Sequence, residues 1–188
     1  MFRDREYLST LFKIALPIAA QNFISSSLNA VGVLMIGQMG EVSVAAVGLA
    51  NQVFFLLNLA LFGIVSGSAI FTAQFWGQGE QAGIRKVVWL CLGLTLLAGS
   101  FFTVVALGFP GAALSLYTAD SAVIELGSQY LRIIGWSYLV TAVSFTFAVQ
   151  LRSTGHVLPP TLVSVVALGL GTALNYGFIF GEFGLPRM

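Results

Sequence analysis

The sequence predicts an all-α protein, a polytopic membrane helix bundle with five transmembrane helices. Hydrophobic residues make up 57% of the 188 residues and charged residues only 8%, whereas soluble domains carry about 25% charged residues. Charged side chains are absent from five long stretches, which cover 14–40, 42–79, 87–119, 133–151 and 153–181. A bilayer core needs roughly 20 apolar residues in a helix, so each stretch can cross it.

The predicted spans follow one another with short connections. The first covers about 14–36, and the second covers about 44–76 and ends at a polar glycine turn, 77–80. The third covers about 85–109 and stops at Pro110, because proline disrupts a continuing helix. A short interfacial helix is expected within 110–128. The fourth span covers about 129–151, and the fifth covers about 159–181, with Pro159 and Pro160 in its first turn.

Basic residues predict the orientation of the bundle. Lys and Arg concentrate before span one, between spans two and three, and after span four (Arg3, Arg5, Lys13, Arg85, Lys86 and Arg152). The positive-inside rule therefore predicts a cytoplasmic N-terminus. We expect a multi-pass protein of the cell inner (plasma) membrane. Nothing after Gly181 resembles a finished domain, so we expect a fragment of a longer membrane protein.

Several kinds of chemistry find no support in the sequence. All seven carboxylates lie at or outside the predicted span ends, so an intramembrane enzyme lacks the acid, base or metal ligands that it needs at depth. Cys91 is alone, which gives no disulfide and no thiolate metal site. The net charge is +1 without a basic cluster, so no nucleic-acid partner is expected. We therefore predict no enzyme activity and no resident cofactor or metal.

Uncharged polar residues mark one face of the first span. Gln21, Ser25 and Gly32 lie within about 40° of one another at roughly 100° per residue, and Asn29 flanks them. In lipid such side chains turn toward protein or a cavity. They either line a polar pathway or hydrogen-bond a neighbouring helix, and the pattern leaves both readings open.

Small residues in two other spans predict close helix packing. In span five Gly169, Ala173, Gly177 and Gly181 recur at every fourth residue, while Gly171 and Asn175 lie on roughly the opposite face. If the small residues pack on a neighbour, Asn175 points into a cavity. Gly63 and Gly67 of span two are predicted to form a second packing contact.

Several segments resemble the multidrug and toxic compound extrusion family. They are LPIAAQN (16–22), LMIGQMGEVSVAAVGLANQ (34–52), AQFWGQGE (73–80), YLRIIGWS (130–137), LRSTGH (151–156) and LNYGFIFGEFGLP (174–186). The resemblance implies a twelve-helix antiporter of two six-helix lobes, which exports organic, often cationic, compounds in exchange for sodium ions or protons. Residues 1–188 would be five helices of the six-helix N-terminal lobe. The implied partners are the lipid bilayer, a small organic substrate and a missing C-terminal lobe.

The resemblance also implies a pathway for substrate and cation, with two departures from the family pattern. Its predicted residues are Gln21, Asn29, Gly32, Gly171 and Asn175. Family members typically carry Asp where this chain has Gly32, and Asn where it has Gly171. A glycine offers only backbone oxygen to a cation, so this lobe is predicted to lack the usual cation site.

One proline and two alternative functions complete the predictions. Pro17 matches a family proline that is linked with helix bending, although a first-turn proline without any moving part fits the sequence equally well. A lipid-linked sugar flippase of related architecture is the nearest alternative function. The other alternative is that the 188 residues alone are inactive in transport.

Overall fold

The computed structural model describes residues 40–180 continuously, with side chains described up to 171, and isolated positions between 15 and 37. Every regular element in these residues is an α-helix, and the isolated positions are helical as well. Two of these helices are long and apolar enough to cross a membrane. The predicted fold class, an all-α membrane helix bundle, is thereby confirmed.

Six helices follow one another along the described chain. They are α1 (Glu41–Gly77), α2 (Gln81–Gly108), α3 (Pro110–Ser115), α4 (Ser121–Ile134), α5 (Ser137–Ser153) and α6 (Leu158–Phe180). Among the described residues, α1 and α2 are each long and apolar enough to cross a membrane, and α4 with α5 forms a third span if the pair is counted as one. The predicted second and third spans lie within α1 and α2, and the fifth corresponds to α6.

The fourth span differs from the continuous helix expected at about 129–151. It begins at Ser121, where Asp120 caps α4 by accepting hydrogen bonds from the N–H groups of Ala122 (2.9 Å) and Val123 (3.5 Å). It then bends by 52° between α4 and α5. Gly135 and Ser137 flank the break, and such a Gly/Ser pair is a known cause of helix kinks without proline.

The polar turn between α1 and α2 is a Schellman motif. Glu80 N–H donates to the carbonyl of Phe75 at 2.9 Å, and Gly79 N–H donates to the carbonyl of Trp76 at 3.1 Å. Gly79 has φ +71°, a conformation that side-chain-bearing residues rarely adopt. The Phe75 ring lies directly over Gly83, where an added Cβ would be 2.6 Å from it. This turn makes α1 and α2 an antiparallel hairpin.

The chain divides into two compact units. One is Met35–Gly155, and the other combines Met1–Leu34 with His156–Met188. In the first unit α1 to α5 pack around one core, to which the short α3 contributes Leu114. Its buried residues are Ala50, Val53, Leu57, Leu61, Ala106, Leu114, Leu131, Tyr138 and Ala142.

Glycines in the second, third and fourth spans differ in how closely neighbouring atoms approach them. An added Cβ at Gly99 would lie 3.1 Å from Ala142 Cβ, and one at Gly135 would lie 2.9 Å from Ala106 Cβ, so α2 meets the α4–α5 span at both positions. The predicted contact at Gly63 and Gly67 is absent from the described structure, where an added Cβ at either would meet no atom within 4 Å. The buried stripe of α1 follows another face, and the contact at Gly63 and Gly67 stays a prediction.

Candidate functional site

Most of the predicted pathway lies outside the described residues. This applies to Pro17, Gln21, Asn29 and Gly32, and to the side chain of Asn175, whose backbone is helical within α6. Their role in a pathway stays a prediction. The segments that carry all six predicted residues, including Gly171, belong to the same compact unit, Met1–Leu34 with His156–Met188.

Gly171 is the one predicted pathway residue whose burial the structure describes. It is partly buried in α6, and an added Cβ there would meet no atom of the described residues within 4 Å. Asn175 follows four positions later, which places both residues on one face of the helix. Among the described residues, none occupies the space beside Gly171 on this face.

A buried polar seam joins three spans in the unit Met35–Gly155. We define the polar seam as three pairs, one on each of α1, α2 and α5, namely Ser68 with Thr72, Cys91 with Thr95, and Thr146 with Gln150. Thr72, Thr95 and Thr146 have no exposed surface. In a bilayer, polar side chains of this kind stabilise helix contacts by bonding across them.

Gln150 is the centre of the first part of the seam. Thr72 Oγ1 donates to Gln150 Oε1 at 2.6 Å, and Gln150 Nε2 donates to Ser68 Oγ at 2.8 Å. Ser68 Oγ in turn lies 3.1 Å from Cys91 Sγ, to which it donates. One amide on α5 thus bonds two hydroxyls on α1, and the chain of contacts continues to α2.

Two threonine hydroxyls form the second part of the seam. Thr95 Oγ1 of α2 and Thr146 Oγ1 of α5 lie 2.8 Å apart, and either can donate to the other. Thr95 also lies 3.0 Å from the carbonyl of Cys91, and Thr146 lies 2.8 Å from the carbonyl of Ala142. Two proton arrangements therefore satisfy both hydroxyls, because whichever one accepts can donate to its own helix.

The seam is suited to holding helices in register rather than to binding an ion. Every member is uncharged in its ordinary state, and its oxygen and nitrogen atoms already have partners. No group of His, Cys, Asp and Glu that could hold a metal occurs in the described part of the chain. Charged side chains at Glu41, Arg85 and Arg152 lie in the terminal turns of their helices.

The seam was not predicted, although the sequence carries a signal for it. Each of the three spans carries one polar pair at a spacing of four residues, which puts the two side chains on the same helix face. A single Thr or Ser inside an apolar span is unremarkable, because its hydroxyl can bond to its own helix. Three such pairs in successive spans indicate interhelical bonding.

Comparison with known proteins places the chain in a family. The family model described as MatE matches residues 17–177, which include the seam, Gly171 and Asn175. The chain belongs to the MatE family. Its resemblance to the multidrug and toxic compound extrusion family is thereby confirmed. This membership identifies a multi-pass membrane transporter family and favours transport over catalysis.

Relatives of this MatE chain are named as multidrug resistance proteins. A probable multidrug resistance protein NorM of Rhizobium meliloti is 32% identical over 178 residues, which are 93% of this chain and 37% of the relative. A probable NorM of Thermotoga maritima is 25% identical, over 97% of this chain and 39% of the relative. The multidrug resistance protein PmpM of Pseudomonas aeruginosa is 26% identical, over 99% and 39%. The MatE chain therefore spans less than two fifths of these relatives.

Proposed function

We propose that the full-length protein exports small organic, often cationic, compounds across the plasma membrane in exchange for sodium ions or protons. The observation that carries this proposal is the MatE match over residues 17–177, together with relatives that are named as multidrug resistance proteins. These names favour drug export over the flipping of lipid-linked sugars. Because the chain spans 37% to 39% of these relatives, a C-terminal lobe outside these residues is part of the proposal.

We assign a scaffold role to one compact unit and the transport pathway to the other. The seam supports a role for Met35–Gly155 as a scaffold, because its polar side chains already bond one another. The predicted pathway residues all belong to the other unit, and the open space around Gly171 fits a face that does not pack on a neighbour. Substrate and cation therefore pass along the faces that carry Gln21, Asn29, Gly32, Gly171 and Asn175.

We further propose that the coupling ion is held mainly outside this lobe. Glycine stands at positions 32 and 171, and a glycine can neither release a proton nor offer side-chain oxygen to sodium. The carboxylates that bind the ion would then lie in the C-terminal lobe. No resident cofactor is needed for such an exchange, since the ion gradient supplies the driving force.

Dye efflux by the full-length protein in proteoliposomes tests this function. A fluorescent cationic dye is loaded, and a sodium gradient or a pH gradient is imposed separately. The wild type is compared with Gly32→Asp/Gly171→Asn, which restores the family residues. We expect export by both and a cation concentration for half-maximal export about tenfold lower in the variant, which corresponds to about 1.4 kcal/mol of added ion binding.

Leu170→Asn provides the matched control. It places the same amide one residue from Gly171, about 100° around α6, and the Leu170 side chain is exposed in the described structure. Its half-maximal cation concentration should equal that of the wild type. Equal cation dependence in all three proteins would refute a coupling role for positions 32 and 171, and absence of gradient-driven export by the wild type would refute the function. The same assay on residues 1–188 alone tests whether they are inactive in isolation.

A further inference from the structure

The break in the fourth span is held by hydroxyl groups. After the break, Tyr138 N–H donates to the carbonyl of Gly135 at 3.2 Å, three residues back instead of four. Ser137 Oγ donates to the carbonyl of Ile134 at 2.7 Å. Thr103 Oγ1, on α2, donates to the carbonyl of Gly135 at 3.2 Å. The carbonyls of Ile134 and Gly135 thus accept hydrogen bonds whose geometry a rotation at the bend would change.

The helix on one side of the break is fixed to its neighbours. Three side-chain hydrogen bonds connect α5 with α1 and α2. Thr146 shares one with Thr95 (2.8 Å), and Gln150 accepts one from Thr72 (2.6 Å) and donates one to Ser68 (2.8 Å). Inside a bilayer, groups pulled out of such bonds find no water to replace the lost partner. The position of α5 is therefore strongly determined.

α4, on the other side of the break, contacts its neighbours through apolar residues. No α4 side chain hydrogen-bonds another helix in the described part of the chain, and its buried residues are Val123, Gly127 and Leu131. Gly127 faces the Leu114 side chain, where an added Cβ would lie 2.8 Å away. Apolar contacts between helices can be exchanged for lipid chains with little loss of free energy. α4 can thus move more easily than α5.

Tyr138 lies directly beyond the break, and its hydroxyl has no partner in the described structure. Its side chain has no exposed surface, and its ring lies 5.7 Å from that of Phe54 between centroids. Buried hydroxyls nearly always have a hydrogen-bond partner, so an exception needs an explanation. A second position of the adjoining helix, in which the hydroxyl gains a partner, would supply one.

We propose that α4 is an arm that swings about Gly135 while α5 stays fixed, and that the bond from Thr103 to the Gly135 carbonyl is the latch. The arm packs near the beginning of α1, where an added Cβ at Gly127 would lie 3.3 Å from the carbonyl of Ala46. Its swing opens or closes that end of the bundle during transport. This role in a transport cycle rests on the proposed function, whereas the hinge itself does not.

Distances between spin labels in the full-length protein, reconstituted in lipid nanodiscs, test the hinge. Labels are attached to cysteines placed at exposed positions, with Cys91→Ser as the background because Cys91 is the only native cysteine of this chain. One pair, Leu97 with Leu126, reports α4 relative to α2. The second pair, Leu97 with Phe147, reports α5 relative to the same reference. Leu126 lies nine residues from Gly135, about 13 Å along the helix, so a swing displaces its label.

Removal of the latch should affect only the first pair. In Thr103→Val we expect a second Leu97–Leu126 distance whose population is several-fold higher than in the wild type, with the Leu97–Phe147 distance unchanged. Thr103→Ser keeps the hydroxyl and should restore the wild-type distribution. Thr141→Val is the matched control, because Thr141 Oγ1 donates only to the carbonyl of Ser137 in its own helix. Wild-type protein with and without saturating cationic dye gives an independent measurement if Thr103→Val fails to fold.

The outcomes separate the hinge from the transport function. If both label pairs shift together, or if neither shifts in Thr103→Val and in dye-bound wild type, the hinge is wrong even in a protein that exports dye. If the Leu97–Leu126 distance alone splits in a protein without dye efflux, the hinge holds and the proposed function is wrong.

Discussion

At the scale of single residues, the space around each glycine decides whether a larger residue can stand there. An added Cβ at Gly135 would lie 2.9 Å from Ala106 Cβ and 3.0 Å from the Leu131 carbonyl oxygen. Neither atom belongs to the far end of a flexible side chain, so relief requires a backbone shift. Gly63 and Gly67 are exposed helical positions with open space around them. Glycine is needed at Gly135 for close approach, whereas no described neighbour requires glycine at the other two positions.

Alanine at these positions should therefore have opposite effects. Gly135→Ala should lower the free energy of unfolding by about 1–3 kcal/mol, because overpacking forces the helices apart. Gly63→Ala and Gly67→Ala should leave it unchanged or raise it by up to about 1 kcal/mol, since alanine favours the helix. Thermal unfolding of the purified full-length protein in one detergent measures the order of stabilities.

A compensating substitution supplies the control for Gly135. In Ala106→Gly/Gly135→Ala the methyl group moves from one helix to the other, so the part of the stability loss that comes from the Ala106 contact should return, while the contact with the Leu131 carbonyl oxygen remains. A Gly135→Ala variant as stable as the wild type would contradict the close contact between α2 and the bend.

At the scale of helices, the polar seam is the feature that ties α1, α2 and α5 together. Thr72→Val removes the donor to Gln150 Oε1 and leaves that oxygen buried without this bond. An unsatisfied buried polar group costs about 1–3 kcal/mol, so we expect a loss of that size. Thr72→Val/Gln150→Leu removes both partners, and its loss should be smaller than the sum of the single losses. The coupling should be about 0.6–1.7 kcal/mol, the range measured between membrane helices.

Thr141→Val is the control for this cycle. Its exposed hydroxyl bonds its own helix, so its removal should change the stability by a few tenths of a kcal/mol at most. Additive losses in Thr72→Val and Gln150→Leu, with a coupling near zero, would show that the 2.6 Å contact does not hold the helices together.

The sequence predicted helices better than contacts between helices. Long runs of residues without charged side chains located α1 and α2, because a transmembrane helix is recognised by its lack of charged residues. The bend at Gly135 was not predicted, since the apolar pattern continues through it. The beginning of the fourth span at Ser121 was not predicted either, because a polar segment joins the apolar one there. The packing at Gly63 and Gly67 stays a prediction, because spacing alone does not say which face a neighbour covers and no described atom lies within 4 Å of an added Cβ at either position.

At the scale of the whole molecule, the candidate pathway depends on the family more than on the described geometry. Resemblance identified the positions of Gly32, Gly171 and Asn175, and membership in the MatE family supports reading them as family positions. Which of these side chains meet is decided by packing between distant segments, which no local pattern encodes. The seam shows the same limit, because its three pairs are visible in the sequence while their partners are not.

Orientation in the membrane is a property of the whole chain that a single experiment can decide. Arg85 and Lys86 follow the turn after α1, and the positive-inside rule therefore predicts that Gln78 faces the cytoplasm and Ala119, at the opposite end, faces outward. In a Cys91→Ser background, a membrane-impermeant maleimide should label Ala119→Cys on cells with an intact inner membrane. It should label Gln78→Cys only after permeabilisation. Both positions are exposed, so burial does not explain a difference between them. The reverse labelling pattern would mean that the basic residues do not set the orientation of this bundle. The direction of transport relative to the bundle would then be opposite to the one proposed.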